Sequence, residues 1–319
     1  MFLLILKQYL LLTSRSTYVY RATASKWLLS RLLLLLFRRD VRLCRAFQSN
    51  HQYRSFLVHS NRDEFISREI ITTGFYDIYN TVLLRDFIAS GDHVIDIGAN
   101  IGWYSSLFCQ WVGATGLVDA FEPNTANQFL LRFNTALLFF SSPVYIYPYA
   151  VSDCTGNVIF YNSITNMGDH RLFQDQHTPV STRVTSTTLD EHYMSSDVKP
   201  TFVKCDTQGA EIKVLRGATE LFNSGWRPLM LLEFWPYGLI HSGDNPMIMI
   251  DILDTYLYTY YFIDSSAHSL KLVSRHFFEE YVRAPKTHKV FGEHINILCI
   301  PESRHVDFAF VISKHLSNR

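Results

Sequence analysis

The apolar and polar positions along the chain form two alternating kinds of segment. Short apolar runs rich in β-branched residues are typical of buried strands, and helical spacing of apolar residues is typical of the segments between them. The predicted strands lie at 94–97, 117–121, 144–149, 201–205, 229–232, 260–263 and 295–300. Predicted helices begin near Gly102, Asn127, Gly209 and Pro246. This alternation predicts an α/β fold: a doubly wound, mostly parallel sheet with helices on both faces.

The last two predicted strands, 260–263 and 295–300, differ from the others because no clear helix separates them. We therefore expect an antiparallel hairpin at the edge of the sheet. The same patterns divide the chain into a basic, apolar, helical N-terminal arm over 1–60, a main domain over 61–304 and a C-terminal tail over 305–319.

The N-terminal arm is both basic and apolar. Through residue 50 it holds nine Lys and Arg residues against the single acid Asp40, so it carries about +8 and the rest of the chain about −8. Its apolar runs at 2–12 and 27–37 are interrupted by Lys7 and Arg31, and neither reaches the ~20 residues that a membrane-spanning helix needs. We expect an amphipathic helical arm that docks either on the main domain or, peripherally, on a membrane surface.

Composition narrows the classes of function. The net charge is zero and the main domain is acidic, so the chain gives no case for nucleic-acid binding. The five cysteines are far apart and include no C-x-x-C pair, which indicates reduced thiols in a cytoplasmic protein; peripheral contact at the inner face of the membrane stays open. No spacing typical of metal ligands occurs, so we expect no metal site, and no pattern indicates an oligomeric state.

Acidic residues lie at or just beyond the ends of most predicted strands. They are Asp96, Glu122, Asp153, Asp206 and Glu233. Ligands of such sheets bind beyond the carboxyl ends of the strands, so we expect an active site among these acids. The first acid precedes a small-residue turn, 98–102, and a helix start, which is the geometry that brings backbone N–H groups up to a nucleotide-like cofactor.

The turn favours one cofactor over another. A dinucleotide fingerprint reads G-x-G-x-x-G, whereas this turn has Asn100 where the middle glycine would let a pyrophosphate approach. Asp96 stands at the mouth of the turn, which suits a cation better than a pyrophosphate, and Glu122 can accept the hydroxyls of a ribose. S-adenosylmethionine has a sulfonium, an ammonium group and no phosphate, so it fits these residues better than a nicotinamide cofactor.

Ordered motifs carry a resemblance to a known family. They lie at 96–102, 120–124, 150–153, 187–190, 204–211 and 232–234. In these motifs the chain resembles the FkbM family of S-adenosylmethionine-dependent methyltransferases. The resemblance implies a class I methyltransferase (Rossmann-like) fold for the main domain, S-adenosylmethionine as the cofactor, and O-methylation of a hydroxyl on a sugar, glycan or secondary metabolite.

The motif residues receive roles in this hypothesis. The residues expected to bind the cofactor are Asp96, Gly98, Ala99, Asn100, Gly102, Glu122 and Asp153. Within this set the turn would meet the methionine part, Glu122 the ribose and Asp153 the adenine, although Asp153 also suits an ordinary turn. The catalytic candidates are Asp206 and His170, because an acceptor hydroxyl must lose its proton as it attacks. Structural hydrogen bonding is the alternative for both.

Four further residues are expected to bind substrate. They are Arg171, Glu211, Glu233 and Trp235. Arg171 could hold an anionic group, Glu233 a hydroxyl, and Trp235 could stack on a sugar ring. Structural alternatives stay open: a solvated loop for Arg171, a helix cap for Glu211 and core packing for Trp235.

Two other functions stay open at this point. The first is a catalytically inactive methyltransferase-fold binding protein that associates with a membrane surface. The second is a nicotinamide-dependent oxidoreductase, which Asn100 disfavours. The expected partner is a small-molecule or glycan hydroxyl acceptor, and no nucleic acid.

Overall fold

Strands and helices alternate around one large sheet. The computed structural model describes residues 18–20, 41–49, 52–59, 65–136, 143–163, 166–285 and 293–316. Its strands are β1 (Tyr18–Tyr20), β2 (Val41–Ser49), β3 (Gln52–His59), β4 (His93–Ile97), β5 (Leu117–Phe121), β6 (Val144–Tyr147), β7 (Tyr149–Val151), β8 (Gly156–Asn162), β9 (Val180–Thr187), β10 (Phe202–Cys205), β11 (Leu229–Phe234), β12 (Tyr258–Asp264), β13 (Ser269–Val273) and β14 (Ile295–Pro301). Its helices are α1 (Ile66–Thr73), α2 (Ile78–Phe87), α3 (Trp103–Val112), α4 (Thr125–Ala136), α5 (Leu189–Tyr193), α6 (Glu211–Arg216), α7 (Thr219–Asn223), α8 (Pro236–His241), α9 (Met247–Thr255), α10 (Arg275–Arg283) and α11 (His305–His315).

The large sheet has the strand order β1-β6-β5-β4-β10-β11-β14-β12-β13. From β6 to β11 neighbouring strands run parallel, which confirms the predicted mostly parallel sheet. β14 is antiparallel to both of its neighbours. The chain leaves β4 in one direction for β5 and β6 and returns to its other side at β10, so the order reverses at β4. A crevice at the carboxyl ends of strands beside such a reversal is the usual place for a ligand.

Alternate strand positions supply two hydrophobic cores, one on each face of the sheet. Val94 of β4 belongs to the core beneath α1–α4, and Ile95 and Ile97 belong to the core beneath α5–α10. Asp96 and Lys204 are opposite each other on β4 and β10, on the Val94 face. They are charged exceptions among buried apolar positions, so their placement needs mutual neutralisation.

The far edge of the sheet differs in part from the predicted hairpin. The strands predicted at 260–263 and 295–300 do pair, as β12 and β14, but β14 lies inside the sheet between β11 and β12. The edge hairpin is β12 with β13, and α10, which the pattern did not predict, precedes β14. The α10 segment does carry an amphipathic pattern, since Phe278 is buried and Phe277, Tyr281 and Val282 pack against the same core, so the sequence reasoning overlooked this helix.

The N-terminal arm and the C-terminal tail also differ from expectation. The described parts of 1–60 are strands: β2 and β3 form an antiparallel hairpin, and β1 pairs with β6. These described segments are strands where the arm was expected to be helical, and Phe56, Leu57 and Val58 are buried in the core beneath α1–α4. The apolar runs at 2–12 and 27–37, on which the helical prediction rested, lie outside the described residues. The expected tail contains α11, which buries Ile312 in the same core. The domain boundaries stay predictions.

Membrane contact of the arm also stays a prediction, because the apolar runs at 2–12 and 27–37 lie outside the described residues. Among the residues that the structure describes, no helix combines the length and the apolar character that crossing a bilayer requires.

Candidate active site

The turn that follows β4 is clamped between two other strand ends. The N–H groups of Gly98 and Ala99 both donate to the carbonyl of Phe121, at 3.0 Å. Gly98 has a φ of +76°, and a Cβ atom there would lie 1.9 Å from the carbonyl oxygen of Asp206. Gly102 has a φ of +85°, and its Cβ would lie 2.6 Å from a side chain of α4. We expected these glycines to admit a cofactor; they are required first for close approach within the chain itself.

Glu122 follows β5 and is tied into the same turn. One carboxylate oxygen accepts from the N–H of Asn100 and the other from the N–H of Asn124, each at 2.8 Å. Burial raises the pKa of Glu122 to about 7, although both N–H groups act against this shift. Each oxygen keeps a further lone pair for a ligand, as the predicted ribose contact requires.

A cavity of about 520 Å³ opens at the carboxyl ends of β4, β5 and β10, and we call it the strand-end cavity. Its apolar wall includes Phe121, Tyr149, Val151, Phe160 and Leu172. Its polar wall includes Asn100, Glu122, His170, Asp206 and Gln208. None of the described residues that line it is Lys or Arg, whereas two are acids. This lining suits a ligand that combines an apolar ring with positive charge and opposes a pyrophosphate.

A second cavity, of about 450 Å³, adjoins the first, and we call it the lysine cavity. Its own walls are Ile66, Tyr76, Ala99, Ile101, Trp103, Tyr104 and Lys204. It shares Gly98, Asn100, Gly168, Asp206 and Gln208 with the strand-end cavity. A ligand in one cavity would therefore meet a ligand in the other beside Asp206.

Lys204 is a buried lysine near the end of β10. Its Nζ lies 3.5 Å from Asp96 Oδ1 and 3.5 Å from Asp206 Oδ2. Burial lowers the pKa of Lys204, but the carboxylates of Asp206 and Asp96 outweigh burial and hold it above its ordinary value. Lys204 is therefore an ammonium ion shared by two carboxylates, and it is not available as a base.

Asp206 is the carboxylate at the junction of the two cavities. Its side chain is 35% exposed, whereas that of Asp96 is 0% exposed. Asp206 Oδ1 accepts from Gln208 Nε2 at 2.9 Å, and the same amide donates to both oxygens of Glu233, at 3.0 and 3.1 Å. Gln208 and Lys204 thus orient Asp206 from two sides while leaving it open to a ligand.

His170 lines the strand-end cavity in a state that differs from the prediction. Its Nδ1 accepts from the N–H of Ser163 at 3.0 Å, so the proton of the neutral ring is on Nε2. Burial, with a smaller contribution from His59, lowers the pKa of His170 to about 4. Neither nitrogen then has a free lone pair, which does not support the predicted role of His170 as a base.

Three residues predicted to bind the cofactor lie outside the linings of both cavities: Asp96, Gly102 and Asp153. Asp96 accepts from the Ser105 hydroxyl at 2.6 Å and faces Lys204, beneath the turn. Asp153 is exposed on the turn after β7, where the Ser152 hydroxyl donates to it at 3.1 Å. Asp96 therefore supports the site from behind, and the ordinary-turn alternative is favoured for Asp153.

Arg171 and Trp235, predicted to bind substrate, form a buried cluster instead. Arg171 donates from Nε and Nη2 to the two oxygens of Asp169, each at 2.6 Å, and from Nη1 to Asp175. Its guanidinium lies 4.8 Å from the centre of a Trp235 ring. Neither residue lines the strand-end cavity or the lysine cavity, so the structure does not support their predicted roles at these two cavities; Arg171 fixes the segment beside His170.

The two acids predicted to bind substrate are also occupied. Glu211 accepts from the N–H of Thr207 at 2.8 Å and of Gly209 at 3.0 Å, which closes the turn before α6 and favours the capping alternative. Glu233 lies behind Gln208, outside both cavity linings. Burial and the neighbouring Asp206 and Glu211 raise the pKa of Glu233 well above its ordinary value.

The sequence reasoning missed Tyr76, Tyr104, Lys204 and Gln208. Lys204 did carry a signal, since a lysine directly after Phe202 and Val203 interrupts a buried strand. Tyr76 carried none, because only the packing of α1 and α2 brings it to the site. Across the described ranges, no group of three or more His, Cys, Asp or Glu residues is arranged to hold a metal ion.

The strand order and the crevice beside β4 define a Rossmann-like protein with the class I methyltransferase fold. The Methyltransferase FkbM domain matches residues 96–260, more than half of the chain. The chain therefore belongs to the FkbM methyltransferase family, which confirms the resemblance found in its motifs.

Several characterised proteins are similar to this chain. The hexuronic acid methyltransferase AglP of Haloferax volcanii is 30% identical over 175 residues, which cover 54% of this chain and 65% of that protein, less than two thirds of its length. Two solved structures are more distant. An O-methyltransferase of Thermotoga maritima aligns with a TM-score of 0.37 at 11% identity, over 84% of this chain and 81% of that one. The fibrillarin of Aeropyrum pernix, with bound S-adenosyl-L-methionine, aligns with a TM-score of 0.38 at 12% identity, over 81% and 82%.

Proposed function

We propose that this protein is an S-adenosylmethionine-dependent O-methyltransferase that acts on a hydroxyl of a sugar, glycan or secondary metabolite. One observation carries the proposal: a cavity with an apolar wall and two acids, without a described Lys or Arg, adjoins a second cavity at the open carboxylate of Asp206. The family and the name of the relative from Haloferax volcanii support methyl transfer to a sugar.

The residues present fit the proposed cofactor. Glu122 has lone pairs for ribose hydroxyls, and Phe121, Tyr149 and Val151 offer apolar contact to a purine ring. Gly98, Asn100 and Asp206 would face the methionine part, whose positive charges match the two acids of the cavity. S-adenosylmethionine, when bound, supplies an electrophilic methyl group.

Asp206 is the base in this proposal. Lys204 is held protonated, and His170 presents an N–H, so neither takes a proton from an acceptor hydroxyl. Asp206 is oriented by Gln208 and partly exposed, which lets it accept that proton as the hydroxyl oxygen attacks. The rest of the rate would come from holding the two ligands in line.

Calorimetric titration with S-adenosylhomocysteine tests the cofactor directly. We expect saturable binding with one site per chain, and weaker binding after Glu122→Gln. Asp153, the exposed acid after β7, offers a matched control: the Asp153→Asn variant should bind S-adenosylhomocysteine with the wild-type affinity. If the folded wild-type protein gives no heat of binding with millimolar S-adenosylhomocysteine, the proposed function is excluded.

A further inference from the structure

We propose that the lysine cavity is the acceptor site and that it selects an uncharged, sugar-like ring, methylated on a hydroxyl, over a hexuronate. This inference rests on the proposed function and deepens it, because it assigns a substrate class to residues that no motif marked. It stands on the walls of the cavity, its hydrogen-bonding groups and its charge.

The aromatic walls of the lysine cavity present ring carbons rather than polar tips. Trp103 Nε1 donates to the hydroxyl of Thr81 at 3.1 Å, and the Tyr104 hydroxyl donates to Asp77 at 2.7 Å. Both polar tips are therefore already satisfied within the protein. Aromatic rings used in this way offer apolar contact to the C–H groups of a sugar ring.

The remaining polar groups suit hydroxyls. Within the described chain the Tyr76 hydroxyl has no hydrogen-bond partner, and burial together with Asp206 raises its pKa, so it remains a protonated donor. Asp206 is an acceptor beside it in the same lining, and the carbonyl oxygen of Gln208 is a second acceptor, because the Gln208 amide N–H groups already donate to Asp206 and Glu233. A hydroxyl both donates and accepts, so neighbouring donor and acceptor groups match a polyol.

The charge of this cavity opposes a carboxylate ligand. Lys204 is the one cation among its described lining residues, and it already faces Asp96 and Asp206 at 3.5 Å each. The buried Arg171 is paired with Asp169 and lies outside the lining. The carboxylate of a hexuronate would therefore add a third negative charge around one ammonium.

The same charge argument concerns the reacting atom. A carboxylate acceptor is already deprotonated and needs no base, whereas a hydroxyl must lose a proton. The Asp206 carboxylate at the junction of the cavities can accept the proton of a hydroxyl acceptor, whereas it repels a carboxylate acceptor. The O–CH₃ bond then forms at a ring hydroxyl as the S–CH₃ bond breaks, and the hydroxyl proton moves to Asp206.

Saturation-transfer NMR on the full chain loaded with S-adenosylhomocysteine tests this selection. The probes are the methyl glycosides of glucose, galactose and mannose, each paired with the methyl glycoside of the matching uronic acid. We expect at least one neutral glycoside to bind, with an affinity about fivefold or more above its uronate partner, since a like charge at close range costs about 1 kcal/mol even in water.

Three variants locate the binding. Tyr76→Phe should lower the affinity for the neutral glycoside about fivefold, as loss of one hydrogen bond does. The control is Tyr79→Phe, on α2 and outside the lining, which should leave this affinity unchanged. Asp206→Asn should raise uronate affinity toward that of the neutral glycoside. Binding of no glycoside, tighter binding of the uronates, or equal effects of the two tyrosine variants would each overturn the inference. Failure of the wild type to bind S-adenosylhomocysteine would instead overturn the proposed function.

Discussion

The strand-end cavity and the lysine cavity share Asp206 and Gln208 but are built in different ways. The first lies over the ends of parallel strands, and its polar groups follow those strands at short, fixed distances along the chain. The second is closed by Ile66 and Tyr76, which arrive with α1 and the segment before α2, and by a lysine from within a strand. The proposed donor side of the site thus depends on sheet topology and the proposed acceptor side on helix packing.

This difference would let the proposed acceptor site vary while the proposed cofactor site stays fixed. The turn at 98–102 is clamped to Phe121 and to the end of β10, so few changes are tolerated there. Tyr76 lies between two helices and can change without disturbing the sheet. Acceptor specificity is then free to vary on a fixed cofactor site.

The largest expected effect is at the junction of the two cavities. Asp206→Asn keeps the size of the side chain but removes the base, so turnover of the tightest-binding methyl glycoside should fall by about 10²–10⁴-fold, the usual contribution of general base catalysis. Binding of S-adenosylhomocysteine should weaken by a much smaller factor than the fall in turnover, because Asp206 is only one of the groups that face the cofactor. Radiolabelled methyl transfer measures the rate, with Asp153→Asn as the control. Wild-type turnover in Asp206→Asn would remove Asp206 from the mechanism.

Lys204 tests whether the lysine cavity is held together by its ion pairs. Lys204→Met leaves Asp96 buried without its cation, so the free energy of unfolding should fall by about 3–5 kcal/mol. The control is Lys271→Met, whose partner Asp264 is near the surface and whose own side chain is 44% exposed; there we expect about 0–1 kcal/mol. Urea denaturation measures both. Similar losses in the two variants would show that the buried position carries no special weight.

Glu122 tests the strand-end cavity alone. Glu122→Gln keeps one carbonyl acceptor but loses the charge and the second acceptor, so the Kd for S-adenosylhomocysteine should rise about tenfold. Glycoside binding in the lysine cavity should be unaffected by the same change. A rise of the same size in both constants would mean that the two cavities do not act separately.

The pH dependence of stability gives a second measurement on Glu122. Its pKa in the folded protein, about 7, is above its ordinary value of 4.5, so the folded state holds the proton more tightly than the unfolded chain does. The stability contributed by this proton is complete below pH 4.5 and is lost as the pH rises toward 7. Glu122→Gln should therefore gain stability relative to the wild type between pH 5 and 7.5 in thermal unfolding. A difference that does not change with pH would contradict the raised pKa.

Sequence reasoning reached the parts of the molecule that local rules control. The parallel strands, the turn after β4 and the acid after β5 follow from apolar runs and strand-end chemistry. It failed for Arg171, which was predicted to bind substrate but is paired with Asp169, two residues earlier in the chain. No sequence pattern indicates this contact. It failed for the hairpin of β2 and β3, because the helical prediction rested on the apolar runs at 2–12 and 27–37 and was extended to the whole arm, whereas the N–H of Leu57 in this hairpin donates to Asn134 of α4. Tyr76 needed the tertiary structure.

The smallest expected effect is at His170, the other candidate base. Its pKa of about 4 lies below the ordinary 6.5, so the ring is neutral from pH 5.5 to 8 and donates from Nε2. His170→Gln replaces an N–H donor with another, and turnover should change by no more than about threefold, within the range of one altered hydrogen bond. The ratio of wild-type to variant turnover should also stay constant from pH 5.5 to 8. A ratio of turnover rates that changes with a midpoint near pH 6.5 would identify His170 as the base. Asp206 would then have only an electrostatic role, and the proton would be accepted in the strand-end cavity.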